Sequence, residues 1–400
     1  MNHPDKISIL ILPSWYPPAG GGFFRDHAEV LSREEYNVKV VVNRMMGVTK
    51  TPLWTIIKSL RKRTMIENGV LVQRRGFIKL PLLEKWSVQL WISTYIKQIK
   101  QFIREYGKPD IIITHSAIWA GTAAVRIQSD FSIPVILVEH RSRFASDDQV
   151  TAAFFKKWHI TLLKQTYAQV SRIVIVSKSL EKSIRYYTPP EKAKISVIPN
   201  LVNTEYFSPS ATVKNKSRFT FITVAFLEEV KGISYLLEAF QLFTARTPGH
   251  FELQLAGSGK LEKDLRYYAN SLGIGGKVNF LGHLSREEVR TRLQEADVFV
   301  LPSIAEAFGV AVIEAMATGL PVVATESGGP QHIVTGDTGI IVPVRDSAKL
   351  ANAMEKIYAD YACYDKHKIR SHVMNNFSPR AVYLQWKQMI SEVNNESTRT

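Results

Sequence analysis

Short apolar runs recur along the chain, each followed by a polar or glycine-containing loop and then by a stretch with helical spacing. Ile7–Leu12 is a near-continuous apolar run, the pattern of a strand buried on both faces. Pro13-Ser14-Trp15-Tyr16-Pro17-Pro18 and Gly20-Gly21-Gly22 form a loop after it. Phe23–Ser32 then places Phe24, Ala28 and Leu31 on one side of a helix, and Val38–Val42 is the next strand. A weakly amphipathic segment near Leu53–Leu60, a short strand near Val70–Gln73 and a helix from about Ser87 to Tyr106 come next. Buried strands are predicted at Asp110–His115 and at Pro134–Glu139, the second running into His140. Helices are predicted from about Trp119 to Gln128 and from about Ala152 to Val170. A strand at Arg172–Val176, a helix at Ser179–Tyr186 capped by Ser177 and a strand at Ile195–Ile198 complete the first half. Pro199–Ser217 is polar and turn-rich and is placed as the inter-domain linker.

The second half repeats the alternation. Strands are predicted at Phe219–Ala225, Phe251–Ala256 and Val278–Leu281, and helices at Ile233–Thr244, Leu261–Leu272 and Ser285–Gln294. The last of these helices opens with a capping box, Ser285 to Glu288. Val298–Leu301 is then a strand closed by Pro302-Ser303. A loop carries Glu306 and Gly309, a helix runs over Val310–Thr318, Gly319 stops it, and Val322–Thr325 resumes the sheet. Gly339–Pro343, a helix at Ser347–Tyr358 and a helical tail at Ser378–Val393 with Tyr383, Trp386 and Met389 follow. The expected fold is α/β, with two doubly wound Rossmann-like domains.

Length agrees, since 400 residues exceed what one core normally organises. A single cysteine, Cys363, excludes an intramolecular disulfide and fits a reducing compartment. The apolar start stops at Pro13, too short for a signal segment, and no run approaches the ~20 residues that span a bilayer. Charge is less even. Of a net +15, thirteen lysines and arginines against three glutamates lie between Lys50 and Lys108. Nucleic acid, an anionic membrane and an anionic substrate are all readings of such a block, and a solvated helix face is the plain one. Trp54, Phe77, Trp86, Leu90, Trp91 and Tyr95 share that block, a mixture suited to a bilayer interface. The expected location is therefore cytoplasmic, peripheral at the inner face of an anionic membrane, with no nucleic-acid partner.

Ligands of doubly wound sheets sit outside the C-terminal ends of the strands. His115 and His140 lie at such ends, where a ligand role and a structural hydrogen-bonding role are equally open. The glycine run Gly20–Gly22 lets backbone approach a phosphate, although a plain tight turn reads the same way. Lys231-Gly232 follows the first strand of the second half and suits a diphosphate, as a surface lysine before a helix also does. Gly257-Ser258-Gly259 and Gly282-His283 are further strand-end turns. Glu306 and Glu314 would repel a phosphate and are better matched to sugar hydroxyls. No D-x-D or His/Cys cluster, no G-x-x-x-x-G-K-[ST] and no G-x-S-x-G occurs, so no metal cofactor, P-loop ATPase or serine hydrolase is expected.

The string EAFGVAVIEAMATGLPVVATESGG, Glu306 to Gly329, resembles the E-x7-E signature of the retaining glycosyltransferases of family 4, group 1, which have the GT-B fold. FLGHLSREE (Phe280–Glu288), ADVFVLPS (Ala296–Ser303) and IPNLVNTEYFSP (Ile198–Pro209) resemble the same class, as does the helix opened by Lys231-Gly232. The first half matches through Gly20–Phe24, Asp110–His115 and the loop before Pro134. The resemblance implies two domains facing across a cleft. Residues 1–205 plus a crossover helix, 378–400, would form the acceptor side, and 206–377 would bind the nucleotide sugar. It implies that Glu314 binds a ribose diol and that Glu306 binds the transferred sugar, with Phe308, Gly309 and Val310 near it. Lys231 would bind the diphosphate, with Gly21 and Gly22 closing on it. Gly257 and His283 would be on the donor side, His115, a catalytic candidate with Glu306, would line the acceptor side and touch the donor hexose, and His140 would be on the acceptor side.

The family usually places an arginine where this chain has Phe226, so Lys231 lacks its usual partner. The activity implied is transfer of a hexosyl or N-acetylhexosaminyl unit from a UDP- or GDP-type sugar to a glycan or lipid-linked acceptor, without a metal, in cell-surface polysaccharide biosynthesis. An epimerase or hydrolase on the same scaffold, and a non-catalytic binding module, are the other readings.

Overall fold

The structure is a computed structural model that describes residues 6–17, 22–47, 53–79, 83–145, 155–192, 194–210 and 218–398. Contacts divide the chain into two compact units. One is Met1–Val176 with Leu180–Asn200 and Val382–Thr400; the other is Leu201–Ala381 with Ser177–Ser179.

The first unit runs Ser8–Pro13 (β1), Gly22–Arg33 (α1), Asn37–Gly47 (β2), Leu53–Leu60 (α2), Arg63–Glu67 (β3), Val70–Lys79 (β4), Glu84–Tyr106 (α3), Ile111–His115 (β5), Thr122–Phe131 (α4), Val135–Glu139 (β6), Lys157–Gln169 (α5), Arg172–Ile175 (β7), Glu181–Tyr187 (α6) and Ile195–Val197 (β8). Its strands form one sheet in the order β3-β4-β2-β1-β5-β6-β7-β8. All neighbours are parallel except β3, which returns antiparallel along β4. The central strands are buried on both faces, which is why β1, β5 and β6 read as unbroken apolar runs. Helix α3 is pinned to β2 by polar groups as well as by packing. Trp91 Nε1 donates to the Asn43 carbonyl at 3.0 Å and Tyr95 Oη to the Val41 carbonyl at 2.5 Å.

Several local expectations change here. Strand β4 extends through Arg74, Arg75 and Gly76 to Lys79, past the short run near Val70–Gln73. Arg74 tolerates its place because Glu67 takes its guanidinium through two hydrogen bonds and Tyr16 lies beneath it. Gly76 is where Met46 and Ser59 pack onto the strand. The helix expected from about Trp119 begins at Thr122, after an irregular turn in which Ser116 and Trp119 adopt positive φ of 71° and 89°. Of the helix expected from about Ala152, residues 152–154 lie outside the described residues, and α5 begins at Lys157. Ser177 does not cap α6; its hydroxyl meets that of Ser179.

The second unit runs Phe219–Val224 (β9), Ile233–Arg246 (α7), Phe251–Ala256 (β10), Glu262–Ser271 (α8), Val278–Gly282 (β11), Arg286–Glu295 (α9), Val298–Leu301 (β12), Val310–Ala317 (α10), Val322–Thr325 (β13), Gly339–Val342 (β14), Ser347–Ala359 (α11) and Lys366–Phe377 (α12). Its sheet is parallel, in the order β11-β10-β9-β12-β13-β14. Phe221, Phe240, Phe243, Leu253 and Leu255 lie in its core, against α7 and α11. Ser285 and Glu288 form both arms of the predicted capping box of α9. Helix α12 is an addition to the predicted elements. Its Arg370 donates to the carbonyls of Thr204, Phe207 and Ala317, packing the 201–207 segment onto this unit. The final helix, Pro379–Thr398 (α13), carries Trp386 to His27 of α1, their rings 4.4 Å apart.

Candidate active site

A parallel sheet opens a crevice where successive connections leave in opposite directions. In the second unit β9 has β10 on one side and β12 on the other, so the reversal lies between β9 and β12. The loop after β9 brings Lys231 there and the loop after β12 brings Glu306. Lys231 Nζ donates to Glu306 Oε2 at 2.5 Å, with 19% and 15% of the two side chains exposed. The two loops are tied by Ile304 N–H donating to the Val230 carbonyl at 2.8 Å. Gly232 makes the approach feasible, because it has φ of +63° and a Cβ there would lie 2.1 Å from the Pro302 carbonyl oxygen. Glu306 is held from behind, its N–H on the Ser327 carbonyl and its own carbonyl accepting from Gly329.

Helix α10 starts four residues after Glu306. Gly309 precedes it with φ of +102° and no side chain caps it. Val312 N–H donates to the Gly309 carbonyl at 2.9 Å, while the N–H groups of Val310 and Ala311, ahead of the helix's own ladder, carry the positive end of its dipole. Val312, Ile313, Ala315, Met316 and Ala317 are buried, so Val310, Ala311 and Glu314 form the less buried stripe. Glu314 therefore shares a face with the first turn, one turn further on. Phe308 is buried with its ring against Phe377, which leaves its backbone for the site. The loops after β9, β10 and β11 are joined: Leu227 N–H donates to the Ser258 carbonyl, Leu261 N–H to the Leu227 carbonyl and Gly257 N–H to the Gly282 carbonyl. Phe226 stands on the first of these loops with 65% of its surface exposed, and His283 on the last is exposed too.

The same edge of the first unit is different. His115 ends β5 and His140 follows β6, with His115 Nδ1 and His140 Nε2 3.0 Å apart. Phe24 of α1 lies 4.2 Å from the His115 ring and 4.9 Å from the His140 ring. His27, one turn along α1, lies 5.6 Å from His115. Burial pushes the His27 and His140 imidazoles down to about 3, and pushes His115 well below its ordinary value with help from the other two rings. All three are neutral at pH 7, so a single proton lies between His115 and His140. With that proton on His115, His115 Nε2 is an acceptor and His140 Nδ1 a donor; the other tautomer reverses both.

Glu139 braces both histidine loops. It is fully buried and accepts from Ser116 Oγ at 3.2 Å, Ala117 N–H at 3.1 Å, His140 N–H at 3.1 Å, Arg141 N–H at 3.3 Å and Tyr167 Oη at 3.2 Å. Burial and this carboxylate push the Tyr167 phenol well above its ordinary range, so it stays a donor. These bonds hold the positive-φ turn at Ser116–Trp119, a conformation that costs energy away from glycine.

The sequence matches the family model described as Glycosyltransferase Family 4 over residues 23–206 and that described as Glycosyl transferases group 1 over residues 207–373. An uncharacterized glycosyltransferase of Methanocaldococcus jannaschii is 30% identical over 344 residues, covering 82% of this chain and 84% of that protein. The chain is a group 1 glycosyltransferase. Sucrose-phosphate synthase from Thermosynechococcus elongatus has the same fold, with a TM-score of 0.78 at 22% identity over 97% of this chain and 99% of that one. The Anabaena protein HepE, solved with UDP and glucose, superposes with a TM-score of 0.73 at 17% identity over 96% and 100% of the two chains. The fold is GT-B.

In this glycosyltransferase, the second unit brings Lys231, Glu306, Gly309 and Val310 to one crevice, with Glu314 on the same helix face and the loops of Gly257 and His283 at the same sheet edge. Gly22 is the first residue of α1, with open space where a Cβ would stand; Gly20 and Gly21 lie outside the described residues. His115 and His140 are brought together. His27 and Glu139 were not among the expected residues. A lone histidine on a helix and a glutamate ending an apolar strand give no signal until their partners are known, although a carboxylate inside a both-faces-buried strand must find donors.

Proposed function

We propose that this glycosyltransferase takes a nucleoside-diphosphate sugar of the UDP or GDP type and transfers its hexosyl or N-acetylhexosaminyl unit to a glycan or lipid-linked saccharide. The transfer retains anomeric configuration, needs no metal and serves cell-surface polysaccharide synthesis. The observation that carries the reading is the Lys231–Glu306 pair at the sheet's reversal point. Each side chain of the pair is the other's counter-charge. An arriving diphosphate replaces Glu306 as the counter-charge of Lys231, and the first-turn N–H groups of α10 meet the remaining negative charge. Glu306, freed, accepts from sugar hydroxyls, and Glu314 from the ribose diol. The bond from the anomeric carbon to the diphosphate breaks, the acceptor oxygen bonds to the same face, and the acceptor proton passes to the departing phosphate. Positioning and stabilisation of that leaving charge supply most of the acceleration. We assign the acceptor to the first unit, with His115 and His140 at its sheet edge.

Thermal unfolding with UDP, GDP, ADP and their sugars, all in EDTA, tests the donor site. A ligand at a hundredfold excess over Kd adds about 2.7 kcal/mol, so one nucleotide is expected to raise the transition and to lose that effect in Lys231→Ala. No shift with any nucleotide, or a shift that requires Mg2+, defeats the metal-free site. Full-rate isomerisation or hydrolysis of the donor without acceptor reassigns the enzyme, and an inverted product anomer removes retention.

A further inference from the structure

Of the fourteen large apolar side chains exposed among the described residues, eight lie between Trp54 and Leu90, so one edge of the first unit's sheet holds most of them. They divide between its two faces. Side chains alternate along β4, and Gly76 faces Ser59 of α2 while Gln73 bonds Gln98 of α3, so α2 and α3 lie on opposite faces. Arg63 and Met65 of β3 pair with Arg74 and Val72, which share the parity of Gly76, and so belong to the face of α2.

On that face α2 buries Ile56 and turns Trp54 (68% exposed), Ile57 (56%) and Leu60 outward, with Met65 beside them. Lys58, Arg61 and Arg63 are exposed there, and none has a side-chain partner among the described residues. From residue 53 to residue 66 the chain has no aspartate or glutamate. We propose that this face, the outer side of α2 with Arg63 and Met65, docks on an anionic phospholipid bilayer at its cytoplasmic side. Tryptophan and aliphatic side chains enter the headgroup boundary while the flanking cations meet lipid phosphates. Charge complementarity selects this occupant. A second copy in a two-fold contact would set these cations against themselves. A nucleic acid would satisfy the cations but leave Ile57 and Leu60 against water. The other face, with Leu83 just before α3 and Trp86 and Leu90 on it, is a built-in control of equal apolar character.

The test is co-sedimentation of the full chain with vesicles of phosphatidylcholine alone and of phosphatidylcholine with phosphatidylglycerol. Binding is expected only to the anionic vesicles and is expected to weaken as salt rises. Trp54→Ser with Ile57→Ser should lower it by about tenfold or more, and Trp86→Ser with Leu90→Ser should lower it less than threefold. Both pairs are exposed, so unchanged thermal transitions confirm folding. Equal binding to neutral vesicles, or a greater loss in the α3 pair than in the α2 pair, overturns the proposal. So does an α2 pair that changes self-association or RNA binding while vesicle binding stays absent.

Discussion

At the crevice of the second unit a lysine and a glutamate 75 positions apart close on each other while both remain partly open to water. At the corresponding edge of the first unit, three imidazoles lie under Phe24 and Trp386, neutral and braced from below by Glu139. Both sheets reverse direction and are parallel apart from the edge strand β3 of the first, so the difference lies in what caps the strands. A charged, wet pair can exchange its internal partner for a ligand at modest cost, because its desolvation is incomplete. A buried neutral cluster offers fixed hydrogen-bonding directions and pays for exposure of any new charge. On the proposed function, the second unit takes up an anion and the first presents oriented, uncharged groups.

Cutting the charged pair from its two ends should give unlike defects. Lys231→Ala leaves Glu306 facing the diphosphate with no cation between them, so nucleotide affinity and turnover both fall. Glu306→Gln releases Lys231, so UDP or GDP binds at least as tightly while turnover drops by about 10²–10³, the usual size of losing one group that acts on the reacting sugar. Calorimetric titration with the nucleoside diphosphate and initial rates with its sugar separate the two. Equal weakening of nucleotide binding by both substitutions would refute the exchange of partners.

The buried cluster should answer to pH instead. The folded-state pKa values of His27, His115 and His140 lie below those of the unfolded chain. As pH falls below about 6.5 the unfolded state takes up protons that the folded state refuses, His27 and His140 until about 3 and His115 well below its ordinary value, so stability present above 6.5 is lost through that window. Each histidine contributes a slope of up to about 1.4 kcal/mol per pH unit. All seven tryptophans belong to the first unit, so their fluorescence follows its unfolding alone. Urea midpoints should fall between pH 7 and pH 5, and His27→Phe should flatten the fall. An unchanged slope in that variant would show that His27 titrates normally.

The contrast also governs what could be read from the sequence. In the second unit the site is built from contiguous strings: strand, loop, glycine stop and helix between Val298 and Thr325 read directly, as did the box at Ser285 and Glu288. Their meeting with Lys231 needed the strand order. Helix α12 escaped because Ile369, Val373 and Phe377 supply only one apolar residue per turn among basic and amide side chains; Asp365, which caps it, was the available signal. Strand β3 escaped because all but one of its five residues are exposed at a sheet edge and no face of it alternates. In the first unit the cluster is gathered from α1, β5, the end of β6 and α13, so no local pattern announces it. His115 and His140 were legible only by position, and Glu139 not at all, because its five donors come from three separate segments.

Phe226 sets the smallest effect and the narrowest test of the comparison. It stands exposed on the loop after β9, so replacing it should change stability by no more than about 0.5 kcal/mol. Phe226→Arg adds a planar, permanently charged donor beside Lys231. One further charge-assisted hydrogen bond to a diphosphate contributes about 1.5 kcal/mol, close to a tenfold tightening of Kd. The gain should shrink as salt rises and should persist, at lower affinity, in the Lys231→Ala background, since the two cations act on one ligand. Calorimetry with the nucleoside diphosphate reads all of this. Unchanged affinity would mean that Lys231 and the α10 N-terminus already saturate the anion. A loss of affinity would mean that the exposed ring itself touches the donor, making this edge of the second unit, like that of the first, dependent on an uncharged aromatic surface.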